Sequence, residues 1–281
     1  MKTAIIDAGG GFKAIFGAGV VDRCLEDGVS FDVAIGVSAG TANLSELLSL
    51  QKNRTYRFYT TYAFRKEYAS PDNFFKDHNF VGLDYIYSTL SNSDGENPLD
   101  YETFASSPTE FVAVACDALT GEPRYFTKAD ISKDNYDVFK ASSCVPVANQ
   151  AYEIGGRAYF DGGIADPIPI RHAIEDLGCD KVVVVLSRPV DAARTPRKDL
   201  VPARVLSRTY PESGERLRMR YQTYNDQVEL TRRYEQEGRA LILAPSRLFG
   251  LDTLKKTHEG LDQMYRHGYG EAAAIKEFLR D

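Results

Sequence analysis

The sequence has no pair of cysteines spaced as Cys-x-x-Cys. Its four cysteines lie far apart along the chain, at Cys24, Cys116, Cys144 and Cys179. This spacing argues against a zinc site and is typical of reduced thiols buried in a cytoplasmic protein. We therefore expect no metal centre, and no motif in the chain indicates a cofactor.

Long apolar runs are also absent. No stretch approaches the ~20 apolar residues that a membrane span needs. The N-terminus has too short an apolar run before Asp7 for a secretory signal. We expect a cytoplasmic protein that meets lipid only at the inner surface of the membrane. The composition, with 43% hydrophobic and 26% charged residues, is that of an ordinary globular protein.

An overall excess of positive charge is missing as well. The net charge of -6 argues against general nucleic-acid binding, which usually needs a basic face or a high pI. One segment departs from this balance, because basic residues outnumber acids between residues 188 and 220. Such a cluster could meet anionic lipid headgroups, although a solvated surface of helix and loop is the commoner use. The basic residues concerned are Arg188, Arg194, Arg197, Lys198, Arg204, Arg208, Arg216, Arg218 and Arg220.

The order of apolar patterns predicts an α/β fold. An apolar strand, a glycine loop and a helical pattern follow one another twice in the first 50 residues. Such a start predicts three layers, α/β/α, with a central, mostly parallel sheet between the helices. The segments concerned are Thr3–Asp7, Ala14–Asp27, Phe31–Ile35 and Thr41–Leu50, and the apolar run in Lys181–Ser187 predicts a further buried strand.

A serine stands between the second strand and the second helix, in Gly36-Val37-Ser38-Ala39-Gly40. In this context Gly-x-Ser-x-Gly is typical of a nucleophile elbow, where the serine adopts a strained backbone at a sharp turn. Glycines two residues to either side, Gly36 and Gly40, let the strand and the helix approach without a side-chain clash. We predict that Ser38 is a catalytic nucleophile rather than part of a tightly packed turn.

A second glycine motif lies before the first helix, in Gly9-Gly10-Gly11-Phe12-Lys13. Free backbone N–H groups at a helix N-terminus suit an oxyanion or a phosphate. The known phosphate-binding patterns do not fit. The pattern Gly-x-x-x-x-Gly-Lys-Ser/Thr is absent, and Ala14 takes the place of the last glycine of Gly-x-Gly-x-x-Gly. An oxyanion hole that serves Ser38 is the better joint interpretation.

The base for this serine is predicted to be an aspartate. Asp161 follows a short apolar strand and precedes Gly162 and Gly163. A carboxylate can accept the serine proton directly if it lies within hydrogen-bonding reach. A simple Asp-Gly turn is the alternative at this place. The four histidines, His78, His172, His258 and His267, stand in no context that indicates a triad member.

These motifs together resemble those of the patatin-like phospholipases, lipid acyl hydrolases that use a Ser/Asp dyad. The matching segments also include Ala141-Ser-Ser-Cys-Val-Pro146 and the prolines Pro167 and Pro169. The sequence departs from the family's Gly-Gly-Gly-x-Arg-Gly at two positions. Lys13 replaces the arginine, which keeps the charge but loses the planar fork, and Ala14 replaces the final glycine.

The resemblance implies a metal-independent carboxylic ester hydrolase that acts on fatty acyl esters or phospholipids through an acyl-enzyme. It implies Ser38 as the nucleophile and Asp161 as the base. The glycine loop from Gly9 to Lys13 supplies the oxyanion hole, chiefly the N–H groups of Gly10 and Gly11 and that of Ala39. It also implies a catalytic core over residues 1–190, with residues 191–281 as a helical extension packed on the same domain.

Two alternatives remain open from the sequence. An acyltransferase would use the same dyad and differ only in the acceptor of the acyl group. A non-catalytic lipid-binding regulatory module would keep the fold without the chemistry, although the intact Ser38 and Asp161 count against it. The aromatic-rich stretch from Tyr56 to Tyr87 suits an acyl pocket or a lid, or equally a plain structural layer.

Overall fold

A central sheet of eight strands organises the protein, whose computed structural model describes residues 1–280. The strands are β1 (Thr3–Asp7), β2 (Val33–Val37), β3 (Glu110–Asp117), β4 (Pro123–Thr127), β5 (Tyr152–Ile154), β6 (Arg157–Asp161), β7 (Lys181–Val185) and β8 (Ala240–Leu243). Their order is β5-β6-β3-β2-β1-β7-β8, and β4 pairs with β3 outside this path. The five strands from β3 to β8 in this order are parallel, and β4, β5 and β6 pair antiparallel.

Ten α-helices surround the sheet in the described residues. They are α1 (Ile15–Asp27), α2 (Ala39–Ser49), α3 (Arg54–Thr60), α4 (Pro71–Asp77), α5 (Tyr101–Ser106), α6 (Asp137–Ser142), α7 (Leu200–Leu206), α8 (Pro211–Gln236), α9 (His258–Glu271) and α10 (Ile275–Arg280). None of the helices in residues 1–280 combines the length and the apolar character that a membrane crossing requires.

The strands alternate their side chains between two apolar cores. Ile5, Ala34 and Val183 point into one core, which contains buried residues of α1, α2 and α9. Their neighbours Ile6 and Ile35 point into the other core, which α8 closes from the opposite face. A parallel sheet that is covered on both faces has this alternation of two cores. The predicted three-layer α/β/α architecture is confirmed.

The C-terminal part of the chain joins both the sheet and its helical layers. Strand β8 extends the parallel sheet next to β7. Helix α9 crosses α1 at two glycines, because a Cβ on Gly19 would lie 2.2 Å from the Tyr265 carbonyl oxygen and one on Gly268 would lie 2.0 Å from that of Phe16. The last helix is interrupted by a 3-10 turn at Ala272–Ala274. The three-residue period of that turn suits the buried pair Ala272 and Ile275.

Candidate active site

Ser38 sits at the turn between β2 and α2 with a left-handed backbone. Its φ is 56° and its ψ is -130°, a strained conformation for a residue with a side chain. The flanking glycines are required by close contacts on both sides. A Cβ on Gly36 would lie 2.4 Å from the Thr41 Cα, and one on Gly40 would lie 2.2 Å from the Asp7 carbonyl oxygen. A strained serine between two such glycines is typical of a nucleophile elbow.

A serine 104 residues away holds the elbow from behind. The Ser38 N–H donates a hydrogen bond of 3.0 Å to the Oγ of Ser142. Ser142 Oγ in turn donates to the Val114 carbonyl at 2.6 Å and lies 3.0 Å from the hydroxyl of Thr41. The bridge therefore fixes the backbone of Ser38 to β3. This function of Ser142 is not evident from the sequence.

The glycine loop has positive φ at three consecutive positions, with 63° at Gly9, 124° at Gly10 and 62° at Gly11. Two N–H groups of the predicted oxyanion loop are occupied. That of Gly9 donates to Asp7 Oδ1 at 2.9 Å, and that of Phe12 donates to the Thr253 carbonyl at 3.1 Å. In residues 1–280 no acceptor engages the N–H groups of Gly10, Gly11 and Ala39, and these three residues line the cavity described below. They are the candidate oxyanion donors.

Asp7 holds the glycine loop from beneath. Its carboxylate also accepts a hydrogen bond of 2.8 Å from the Nδ2 of Asn43 on α2, and that amide donates to the Ala14 carbonyl as well. Burial raises the pKa of Asp7 from 3.8 to about 6, although the bonds from Asn43 and Gly9 oppose the increase. Asp7 therefore links β1, the loop and the elbow helix at an electrostatic cost. Asp7 and Asn43 belong to no sequence motif, so nothing in the sequence indicates this function for either of them.

Asp161 reaches Ser38 through the register of β3. Val37, the last residue of β2, pairs with Val114, and Asp161 pairs with the next residue of β3, Ala115. The two predicted catalytic residues are therefore brought to adjacent positions along one strand. Gly162 allows this approach, because a Cβ there would lie 2.2 Å from the Val114 carbonyl oxygen.

The carboxyl group of Asp161 is buried and oriented. Its Oδ1 accepts a hydrogen bond of 2.8 Å from the N–H of Gly163. Burial raises the pKa of Asp161 above its ordinary value. Hydrogen bonding with Ser38 and Gly163 and the positive charges of Arg220 and Arg194 oppose that increase. Two arginines thus favour the ionised form, which is the form that can accept a proton.

A cavity of about 460 Å³ opens over Ser38 and Asp161. One of its walls is apolar and aromatic, and it comes largely from the segment between α3 and α5. The residues of this apolar wall are Tyr59, Tyr68, Val81, Leu83, Ile86 and Tyr87. A smaller pocket continues behind Ala39 and shares Tyr59, Tyr68, Ile86 and Tyr87 with it. The aromatic-rich stretch is therefore part of the cavity lining.

A second wall of the same cavity is basic. We call it the cationic wall and define it as Lys13, Arg188, Arg194 and Arg220. Burial lowers the pKa of Lys13 to about 8; Asp252 opposes this shift, while the neighbouring Arg194 and Arg188 add to it. The sequence identified the basic segment that contains the three arginines but gave no reason to select these members.

The histidines lie elsewhere. Within the described chain none of the four lines the cavity. His172 stacks on Tyr125 with ring centroids 3.7 Å apart, and His258 stacks on Phe64 at the same separation. No group of three His, Cys, Asp or Glu side chains in residues 1–280 could hold a metal ion.

Two family models and one curated relative match parts of this chain. The family model described as patatin-like phospholipase matches residues 8–174, and a model described as a domain of unknown function, DUF6363, matches residues 210–281. The uncharacterized protein YjjU of Escherichia coli (strain K12) is 31% identical over 202 residues. The match covers 70% of this chain and 55% of YjjU, so the chain spans little more than half of that relative.

A solved structure shows the same fold. The match to the crystal structure of VipD from Legionella pneumophila covers 98% of this chain and 67% of the VipD chain, with a TM-score of 0.50 and 14% sequence identity. The fold and the site define a three-layer α/β protein with a serine at a strained turn between a strand and a helix. The family model covers more than half of the sequence, and the chain belongs to the patatin-like phospholipase family.

Proposed function

We propose that the protein hydrolyses fatty acyl esters through a Ser38–Asp161 dyad and a covalent acyl-enzyme. The observation that carries this proposal is the meeting of two features at one cavity. A serine on a strained turn and a buried, ionisable carboxylate interact there, although 123 residues separate them in the chain. The family of the chain makes a lipid ester, including a phospholipid at a membrane surface, the expected substrate.

In the first half of the reaction Asp161 accepts the hydroxyl proton while Ser38 Oγ attacks the ester carbonyl. The N–H groups of Gly10, Gly11 and Ala39 are the candidates to stabilise the resulting oxyanion. When the tetrahedral intermediate collapses, the C–O bond to the alcohol breaks and Asp161 returns its proton to the departing alkoxide. An acyl-Ser38 ester remains.

In the second half, Asp161 takes a proton from water, and the hydroxide attacks the acyl carbonyl. The collapse of this second intermediate releases the fatty acid and returns the proton to Ser38. The apolar wall suits the acyl chain throughout, because aromatic and aliphatic side chains exclude water from it.

The test is hydrolysis of p-nitrophenyl esters with short to long acyl chains by the wild type, Ser38→Ala and Asp161→Asn. Loss of a general base costs about 10² to 10⁴ in rate, and loss of the nucleophile should leave only background turnover. Asp166→Asn is the matched control. Asp166 is a buried carboxyl five residues along the chain, with its pKa also raised by burial, but it does not line the cavity.

Activity in Asp166→Asn together with its loss in Ser38→Ala and Asp161→Asn supports the dyad, provided that all variants fold alike by circular dichroism. Full activity in Asp161→Asn would show that another group is the base. A wild type that is inert on every ester and is not labelled by a fluorophosphonate would refute the proposal and favour a lipid-binding module.

A further inference from the structure

The positive charge of the cationic wall exceeds the negative charge of the carboxylates near it. Five basic side chains line the cavity, the four of the wall and Lys198. Two acids form ion pairs with them, and Asp161 lines the same cavity, so three carboxylates are available to balance five basic side chains. Asp252 lies 3.6 Å from Lys13 and 2.5 Å from Lys198, and Asp199 lies 3.5 Å from Arg194 and pairs with Arg220.

Arg188 is the member of the wall that has no acidic partner in the described chain. It is half-buried, and its guanidinium contacts the Ala193 carbonyl at 3.5 Å and lies 5.6 Å from the centre of the Tyr224 ring. Arg194 lies over the same ring at 5.8 Å. A guanidinium that is removed from water beside a second one is unfavourable unless an anion joins them.

Helix α8 builds this wall from its own sequence. Arg220 and Tyr224 lie one turn apart and face the cavity. The next residue, Asn225, binds the backbone of Arg194 twice, since its Oδ1 accepts from the Arg194 N–H at 2.8 Å and its Nδ2 donates to the Arg194 carbonyl at 3.0 Å. The loop that holds Arg194 is therefore fixed to the helix, so the cluster is pre-organised.

We infer that the cationic wall, through Arg188, Arg194 and Arg220, is a subsite for a negatively charged phosphate headgroup of the ester substrate. The inference rests on the proposed function and extends it by naming the charge of the substrate. Arginine suits this ligand because its planar fork binds two phosphate oxygens at once. With the acyl chain on the apolar wall and the phosphate on the cationic wall, the ester carbonyl between them is held near Ser38.

The C-terminal region contributes residues to this headgroup subsite. Arg220, Tyr224 and Asn225 fall within residues 210–281, the part matched by the domain of unknown function. That region supplies one side of the active-site cavity and, with it, the selection of the headgroup.

The experiment compares three esters that share a lauroyl chain: lauroyl-glycerol phosphate, lauroyl-glycerophosphocholine and neutral lauroylglycerol. We expect the wild type to hydrolyse the first with the highest kcat/KM, and we expect added salt to reduce this preference. Arg188→Gln should lower kcat/KM for the phosphate ester about tenfold more than for the neutral ester. Arg188→Lys, which keeps the charge, should restore part of the ratio.

The control is Arg218→Gln, two residues before Arg220 on α8. Arg218 is exposed, pairs with Glu215 and does not line the cavity, so both kcat/KM values should stay as in the wild type. Equal losses for the phosphate and neutral esters in Arg188→Gln, or no preference among the three esters in the wild type, would overturn the headgroup subsite while ester hydrolysis stands.

A binding measurement keeps the two proposals separate. Dodecyl phosphate has no carboxylic ester, so calorimetry below its micelle concentration reports the subsite even if no ester is hydrolysed. We expect the wild type to bind it at least about tenfold more tightly than Arg188→Gln does. Equal binding by both proteins would refute the inference. Inorganic phosphate that binds as tightly as dodecyl phosphate would identify a site for the free anion instead of a lipid headgroup.

Discussion

Replacing Asp7 by asparagine should stabilise the protein relative to the wild type. This stabilisation should be larger at pH 8 than at pH 5. Burial raises the pKa of Asp7 from 3.8 to about 6. The folded state therefore binds this proton more tightly than the unfolded chain does, and stability falls as the pH rises through about 6. The penalty is complete above pH 6 and absent below 3.8. About two pKa units correspond to about 3 kcal/mol.

Asparagine removes the charge but keeps part of the hydrogen bonding. Its Oδ1 can still accept from Gly9, whereas its NH₂ group would face the donor of Asn43 and lose that bond, at about 1 to 2 kcal/mol. We expect a net gain of about 1 to 2 kcal/mol at pH 8. At pH 5 the wild type recovers about half of the penalty, so the difference between the two proteins should shrink by about 1.4 kcal/mol.

Urea unfolding followed by circular dichroism at pH 5, 6, 7 and 8 measures this difference. Asp94→Asn, at an exposed position, controls for the effect of the substitution on the unfolded chain. A difference between Asp7→Asn and the wild type that stays constant over this range would refute the buried-charge argument. Asp7→Ala, which cannot accept from Gly9, should lose at least about tenfold in kcat while Asp7→Asn retains more.

Three further predictions concern the parts that hold the dyad. Ser142→Ala removes the acceptor of the Ser38 N–H, so it should lower the free energy of unfolding, measured in urea, by about 1 to 3 kcal/mol. It should also lower kcat. An unchanged kcat would show that the turn at Ser38 needs no such support. Gly9→Ala places a Cβ 2.1 Å from a backbone oxygen of the elbow strand and should reduce kcat by about 10² by displacing the oxyanion loop, and a normal rate would contradict the tight packing. Arg220→Gln removes a charge that opposes the raised pKa of Asp161, so the acid limb of the kcat/KM profile should move to higher pH, and an unmoved limb would exclude Asp161 as the titrating base.

The sequence alone was enough for the layers and for the sharp turn at Ser38, because their signals are local. Short apolar runs followed by glycines predict strands that end in sharp turns, and the structure has β1 and β2 at the first two of them. The short segment Arg124–Phe126 also predicts a strand that pairs with the apolar run before it, and it lies within β4, which pairs with β3. The helical spacing of apolar residues over Leu261–Phe278 predicts a single final helix. The structure instead divides this segment into α9, a 3-10 turn and α10, because tertiary packing fixes the local period.

Tertiary structure alone decided which distant residues serve the site. Nothing near Ser142 in the sequence indicates that it binds the backbone of Ser38, since the strand that joins them is the parallel neighbour β3. Likewise, nine basic residues between 188 and 220 look alike in the sequence, but Arg188, Arg194 and Arg220 face the cavity while Arg204 and Arg208 face solvent. The sequence determines which groups are available, and the packing of α8 beside the loop after β7 determines which of them lose their water and line the cavity of Ser38.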